Sequence, residues 1–240
     1  MNEVARPRDD AHDLWVFGYG SLMWRPGFVY EEVRRATLVG YRRCFCIYST
    51  HHRGSSERPG LVLGLDRGGA CHGMAFRVAA EQRREVLAYL ADREQINGVY
   101  RDTLAPVTLD GEPRREVPAL AYIVERRHPS YTGRLTLADQ ACLIRAARGI
   151  SGPNLDYLIN TQVHLAQLKI REPEIDRLLT IIGGHFARGA SGEHGRPASA
   201  ALLNACRHHG VMAPRLKPLE RRRFVYRRQI SAWAARSRAT

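Results

Sequence analysis

Glu94 is the carboxylate in this chain whose setting best suits proton transfer. It follows Leu87 and Leu90 at seven and four residues, so it projects from the apolar stripe of a helix expected over about residues 80–93. It also falls in that helix's last turn, where the backbone dipole opposes a negative charge. Burial and the dipole both raise a carboxyl pKa, which suits a general acid/base working near neutral pH. A second reading stays open at this point: the helix has frayed and Glu94 pairs with Arg93 or Arg101.

The loop Gly18-Tyr19-Gly20-Ser21-Leu22 is punctuated by glycine and follows an apolar run, Leu14 to Gly18. Successive backbone N–H groups in such a loop form a concavity for a carboxylate or another anion. A glycine pair after a strand is more often a plain turn. The loop is not a dinucleotide fingerprint, because Leu22-Met23-Trp24 follow and no helix opens there. A third segment, residues 149–158, reads as a loop opening a helix, with Asn154 as its cap and Tyr157 free to offer a hydroxyl. A capped helix with a packed tyrosine is the plainer alternative.

Cys44 and Cys46 share one face of a strand and read as buried small hydrophobes. No CxxC pair occurs among the five cysteines, so neither a disulfide framework nor a zinc finger is expected. The histidines, including His51-His52 and His208-His209, lack the spacing of a metal site and read as loop residues. Neither a Gly-x-Ser-x-Gly elbow nor a P-loop is present. A metal and a cofactor are both expected to be absent.

Strands must position these groups first, helices later. Residues 14–18, 36–48, 61–65, 71–78 and 117–124 read as strands. After His128-Pro129 the pattern turns helical. Thr136 and Asp139 form a cap for a helix to Arg148. Leu155, Leu158, Ile159, Gln162, Leu165 and Ala166 mark the next helical face. Pro173 opens another helix, with Gly183-Gly184 ending it. This order argues for an α+β fold, a small closed sheet with helices around it. The expected divisions are an N-terminal arm at 1–13, a domain at 14–184 and a basic C-terminal extension at 185–240, which begins as a linker.

The chain has 240 residues and a net charge of +13. Residues 185–240 hold 12 of the 37 basic and 2 of the 24 acidic residues, so the extension carries +10 and the remainder +3. The charge is thus not a property of the body. Nucleic acid or an anionic surface is a conceivable partner for the extension, with residues 219–235 as a basic, aromatic-bearing segment. A solvated tail is the simpler expectation. No apolar run approaches the roughly 20 residues that span a bilayer, and a secretory signal is not evident at the start. A soluble cytoplasmic protein is expected.

Trp15-Val-Phe-Gly-Tyr-Gly-Ser-Leu-Met-Trp24 resembles the opening motif of ChaC-like γ-glutamylcyclotransferases. Leu38-Val-Gly-Tyr-Arg-Arg-Cys-Phe-Cys46 resembles the strand that follows it there. His52-Arg53-Gly54 with Pro59-Gly60-Leu61-Val62-Leu63, then Arg93-Glu94 with Gly98-Val99-Tyr100, resemble the next family segments. Arg127 to Tyr131 and Gly149 to Tyr157 resemble the later ones. The resemblance covers about residues 15–183, in order.

It implies a small β-barrel with flanking helices and an enzyme that splits glutathione by closing its glutamyl part to 5-oxoproline. By the same resemblance Glu94 aligns with the acid/base. Tyr19, Gly20, Ser21 and Leu22 align with the loop holding the glutamyl end, and Tyr157 aligns with a tyrosine near that pocket. Residues 95–97 receive no role. Other γ-glutamyl amino acids or amines are the close alternative substrates. A nucleic-acid-binding module on a non-catalytic scaffold is the alternative from another class, and the nearly balanced body argues against it.

Overall fold

Leu14–Gly18 forms β1, a strand buried along its whole length. An apolar run without alternation belongs to a strand covered on both faces. It pairs antiparallel with Gly60–Val78 (β3), Leu14 opposite Val78 and Gly18 opposite Met74. It also pairs in parallel with Arg115–Val124 (β5), through Trp15–Ala119 and Val16–Leu120. Glu32–Ser49 (β2) and Tyr100–Leu109 (β4) complete a closed barrel in the order β1-β3-β2-β4-β5. The expected α+β class and closed sheet are therefore present.

The computed structural model describes residues 12–94 and 98–189, which fall within one compact unit. Most of the N-terminal arm and all of residues 190–240 lie outside the described residues. So do the proposed nucleic-acid or anionic contact and His208-His209.

Three strand expectations change. Residues 61–65 and 71–78 are one strand of 19 residues, not two. Gly68 and Gly69 take positive φ of 105° and 72°, and the register against β2 shifts between Val39 and Tyr41. A bulge at left-handed glycines bends a strand without ending it. β4 is a strand that sequence reading passed over. Its Pro106 faces Pro118 of β5, and prolines inside a run speak against a strand. β2 extends beyond the expected 36–48 at both ends.

Arg83–Glu94 (α1) follows a short 3-10 turn at Ala80–Gln82. Its Val86 and Leu90 are buried against Leu14, Val16, Val78, Leu120 and Tyr122 of the barrel. Leu22 joins the same cluster, so the loop after β1 and the helix α1 share one apolar contact.

Leu137–Ala146 (α2) is capped as expected: the Asp139 N–H donates to the Thr136 hydroxyl at 3.1 Å. It ends before Arg148, where the two-residue strands Arg148–Gly149 (β6) and Gly152–Pro153 (β7) pair. Asn154–Gln167 (α3) and Pro173–Gly189 (α4) follow, and α2, α3 and α4 pack on one another. Gly183-Gly184 do not end α4, which runs through them to Gly189. A glycine pair costs a helix about 1 kcal/mol per residue relative to alanine. Burial of Ile175, Leu178 and Ile182 on one face offsets it.

Asn154 does not act as the expected cap. It is fully buried, and its amide bonds both polar groups of Leu61: the Leu61 N–H donates to Oδ1 at 2.6 Å and Nδ2 donates to the Leu61 carbonyl at 2.7 Å. The first residue of α3 thereby serves β3 as a strand partner would. Gly60 is required beside it, since a Cβ there would stand 2.2 Å from the Arg53 carbonyl oxygen and 2.8 Å from Asn154 Oδ1.

No helix among the described residues is long and apolar enough to cross a membrane. Cys44, Cys46 and Cys71 are buried free thiols, as expected of structural cysteines, and Cys142 is an exposed one.

Candidate active site

β1 delivers the loop and α1 delivers the carboxylate. Gly18 ends the strand in contact so close that a Cβ would lie 3.1 Å from Leu22 Cβ and 3.3 Å from the Met23 nitrogen. The chain then makes a 3-10 turn over Ser21–Met23, with the Met23 N–H donating to the Gly20 carbonyl at 2.9 Å. The start of such a turn leaves its leading N–H groups without an acceptor inside the helix, a donor cluster suited to an anion.

Glu94 is the last residue of α1, and 17 % of its side chain is exposed. Burial pushes its carboxyl above the ordinary carboxylate range, and the Arg93 guanidinium pulls it partly back. Both open readings of Glu94 are thus partly met. The helix has not frayed before it, yet the carboxylate does pair with Arg93, Oε1 to Nε at 3.0 Å. Arg101 is not its partner among the described residues.

Arg93 does more than neutralise. Its Nη2 donates to the Ser21 hydroxyl at 2.9 Å, and its Nη1 donates to the Arg25 carbonyl at 2.7 Å and to the Tyr89 hydroxyl at 2.9 Å. One side chain therefore fixes the loop and the carboxylate together. Sequence reading offered Arg93 as an alternative partner of Glu94, and did not see its link to the loop.

Tyr19 is buried, and its carbonyl accepts from Arg43 Nε at 2.5 Å. The Arg43 side chain has no exposure at all. It pairs with Glu172, which precedes α4, and Nη2 donates to the His72 carbonyl at 2.7 Å. A buried charge needs partners on every side, and here those partners are the site loop, β3 and the approach to α4. Sequence reading missed this residue. In sequence it is only the second of two arginines before Cys44-Phe45-Cys46, which marks no buried charge.

Tyr157, on the first turns of α3, packs edge-on against Phe45 at 5.9 Å. Burial pushes its hydroxyl up to about 12, a hydrogen bond with the Leu63 backbone opposes this, and the Glu94 charge adds to it. Tyr100 at the start of β4 donates to the Leu63 carbonyl at 2.8 Å. Burial foremost, then Tyr100 and Glu94, holds up the Tyr19 hydroxyl, and burial, then Tyr157 and Glu94, holds up that of Tyr100. Burial, then Asp102 and Glu94, raise Tyr122. These four phenols share the field of one carboxylate, and each stays protonated at pH 7; the proton of Tyr100 is already given to the Leu63 carbonyl. Tyr100 was not singled out from sequence.

The expected residues thus converge. Ser21 is tied to Glu94 through Arg93, Leu22 packs with Leu90, and Tyr19 and Tyr157 both feel the Glu94 charge. Gly20 lies within the turn, and a Cβ there would meet only Leu63 Cδ1, at 3.8 Å, so close packing does not demand it. Among the described residues no group of three or more His, Cys, Asp or Glu could hold a metal ion. His51 and His52 are exposed, as expected, with His52 Nδ1 3.1 Å from the Ser151 hydroxyl.

A set of protonated donors around one carboxylate of raised pKa can take a proton from a substrate and return it while the donors hold an oxyanion or carboxylate. A family model described as ChaC-like protein matches residues 14–184. The glutathione-specific γ-glutamylcyclotransferase of Escherichia coli (strain K12) is 37% identical over 175 residues, 73% of this chain and 75% of that protein. The glutathione-specific γ-glutamylcyclotransferase 1 of Homo sapiens is 40% identical over 157 residues, 64% of this chain and 71% of that protein. A crystal structure described as γ-glutamyl cyclotransferase specific to glutathione from yeast superposes with a TM-score of 0.65 at 24% identity, covering 72% of this chain and 99% of that one. That likeness bears on the fold.

Proposed function

This chain belongs to the ChaC-like family, and from that premise we propose that it is a γ-glutamylcyclotransferase that splits glutathione into 5-oxoproline and Cys-Gly. The observation that carries the reading is Glu94, a carboxyl of raised pKa at the end of α1 that Arg93 ties to Ser21 of the loop Tyr19–Leu22.

Glutathione contains its own nucleophile. The glutamyl α-amine is an ammonium ion at neutral pH and cannot attack. Glu94 takes a proton from it. The freed nitrogen then bonds to the γ-carbonyl carbon and closes a five-membered ring. The amide bond to cysteine breaks as Glu94, now acting as acid, returns its proton to the departing nitrogen; the ring nitrogen gives up its second proton as the cyclic amide forms, and the released amine takes up one to leave as an ammonium ion. Holding the glutamyl chain folded makes use of intramolecularity, worth up to about 7–11 kcal/mol in favourable cases.

The N–H groups at Gly20, Ser21 and Leu22 receive the glutamyl end. The neutral hydroxyls of Tyr19 and Tyr157 supply donors to the developing oxyanion. A raised pKa in Glu94 serves both halves of the cycle, because a base that is too acidic holds no proton to return. The reaction needs neither metal, nucleotide nor covalent enzyme intermediate, and we assign it none. The free thiols suit a reducing compartment, which supports a cytoplasmic setting.

The test is 5-oxoproline release by purified protein from glutathione, γ-glutamyl-alanine and γ-glutamyl-lysine in turn, with a chelator present. Product from glutathione foremost supports the reading. Product only from the other two overturns the substrate. Loss with EDTA and recovery with zinc overturns the metal-free chemistry.

A further inference from the structure

Arg53 stands beside this site with part of its guanidinium unused. Its Cζ lies 5.3 Å from the centroid of the Tyr157 ring. Its backbone is fixed by an N–H bond to the Ser49 hydroxyl at 3.0 Å. Nη1 donates to the Ser151 carbonyl at 2.6 Å and the Pro153 carbonyl at 3.3 Å. Nε and Nη2 have no hydrogen-bond acceptor among the described residues, and no carboxylate there forms an ion pair with Arg53. The side chain is half-buried, and burial lowers its pKa, against the opposing influence of Tyr157 and Asp156. A desolvated guanidinium with an open edge is suited to a planar carboxylate.

Glutathione carries two carboxylates. The glutamyl one belongs with the loop and Glu94. The glycyl one lies beyond the scissile amide, at most about 7 Å away along two extended residues. Tyr157 links these places, because its hydroxyl feels Glu94 while its ring lies under Arg53. A substrate with its scissile carbonyl at the Tyr157 hydroxyl therefore has its far end within reach of Arg53. We infer that Arg53 is a specificity residue that holds the terminal carboxylate of the leaving group. The inference rests on the cyclotransferase reading above and deepens it. It explains how leaving groups are told apart by a site whose other residues attend to the glutamyl end.

The test compares glutathione with glutathione esterified at its glycyl carboxyl, following 5-oxoproline in both. Wild type is expected to favour the free acid by about tenfold to a hundredfold in kcat/KM, the range for a hydrogen bond to a charged group. Arg53→Met should bring the ratio near one, chiefly by raising KM for glutathione. Arg53→Lys should restore part of it. Each ratio is taken on one variant, so damage to the loop at Ser151 cancels. Equal use of both substrates by wild type overturns the inference, even if Arg53→Met fails to fold. So does a preference that survives in Arg53→Met, which would assign Arg53 to the loop or to the glutamyl carboxylate. No product from either substrate overturns the cyclotransferase reading, and the inference with it.

Discussion

The Glu94 carboxylate and the Ser21 hydroxyl are held by one guanidinium, that of Arg93, at 3.0 Å and 2.9 Å. The proton-transfer group and the substrate loop therefore cannot shift independently. A helix end and a strand end, more than seventy residues apart, are set in register by a single planar fork.

Glu94→Gln keeps the size and an acceptor but cannot take a proton. Turnover of glutathione should fall by about 10²–10⁴, with KM much less affected because the loop at Tyr19–Leu22 is untouched. Retention of more than about a tenth of wild-type turnover, well short of that range, would send the search for the base elsewhere.

The same variant should be no less stable than wild type at neutral pH. Burial raises the Glu94 pKa, so the folded state disfavours its charge. Below the ordinary glutamate value of about 4.3 both states are protonated and the cost is absent. It grows as pH rises from there through the raised folded value, and persists above it. Urea melts should therefore show Glu94→Gln gaining on wild type as pH rises across that window. A gain confined to acid pH would contradict the sign.

Removing Arg93 removes the influence that lowers the Glu94 pKa. The acid limb of the kcat/KM profile should therefore move to higher pH in Arg93→Met. A loosened loop alone would raise KM and leave the limb in place. A limb that stays put or moves to lower pH would refute the coupling.

Glu172→Gln leaves the Arg43 guanidinium buried without its carboxylate. Breaking one side of such a pair costs about 3–5 kcal/mol, and each kcal/mol lowers the melting temperature by about 2–4 °C in a domain of this size. The melting temperature should drop by at least about 6 °C on that basis. KM should rise as well, because Arg43 also anchors the Tyr19 carbonyl. Calorimetry and steady-state kinetics on one preparation check both.

Asn154→Ala orphans the N–H and the carbonyl of Leu61 together. Each unpaired buried group costs about 1–3 kcal/mol, so the urea midpoint should fall clearly while the far-ultraviolet spectrum of the folded state is kept. An unchanged midpoint would mean the two bonds contribute nothing net.

Whether a residue was legible in the sequence depended on how local its cause was. β1 matches its apolar run residue for residue, because burial on both faces leaves a continuous signal in five positions. Glu94 stood out because an acid on an apolar helical stripe conflicts with its own neighbours. Arg43 and Asn154 gave no such local reason. The first is explained by Glu172, 129 residues away, and the second by Leu61, 93 residues away. β4 was hidden by Pro106, which faces Pro118 across the ladder and lies just outside the stretch of β4 that pairs with β2. The end of α4 was misplaced because two glycines look like a stop until the burial of Ile182 is known.

Leu61 and Leu63 point backbone groups away from β2, toward Asn154, Tyr100 and Tyr157. β1 faces only the other end of β3, from Met74 to Val78. The barrel thus has a short bare rim, the kind of surface on which another chain can add a strand and begin to aggregate. Here side chains occupy it, and two of them are phenols of the site. Pocket and guard are the same residues. A variant that clears the site by trimming Tyr100 and Tyr157 would also uncover the rim, and its first symptom should be loss of solubility.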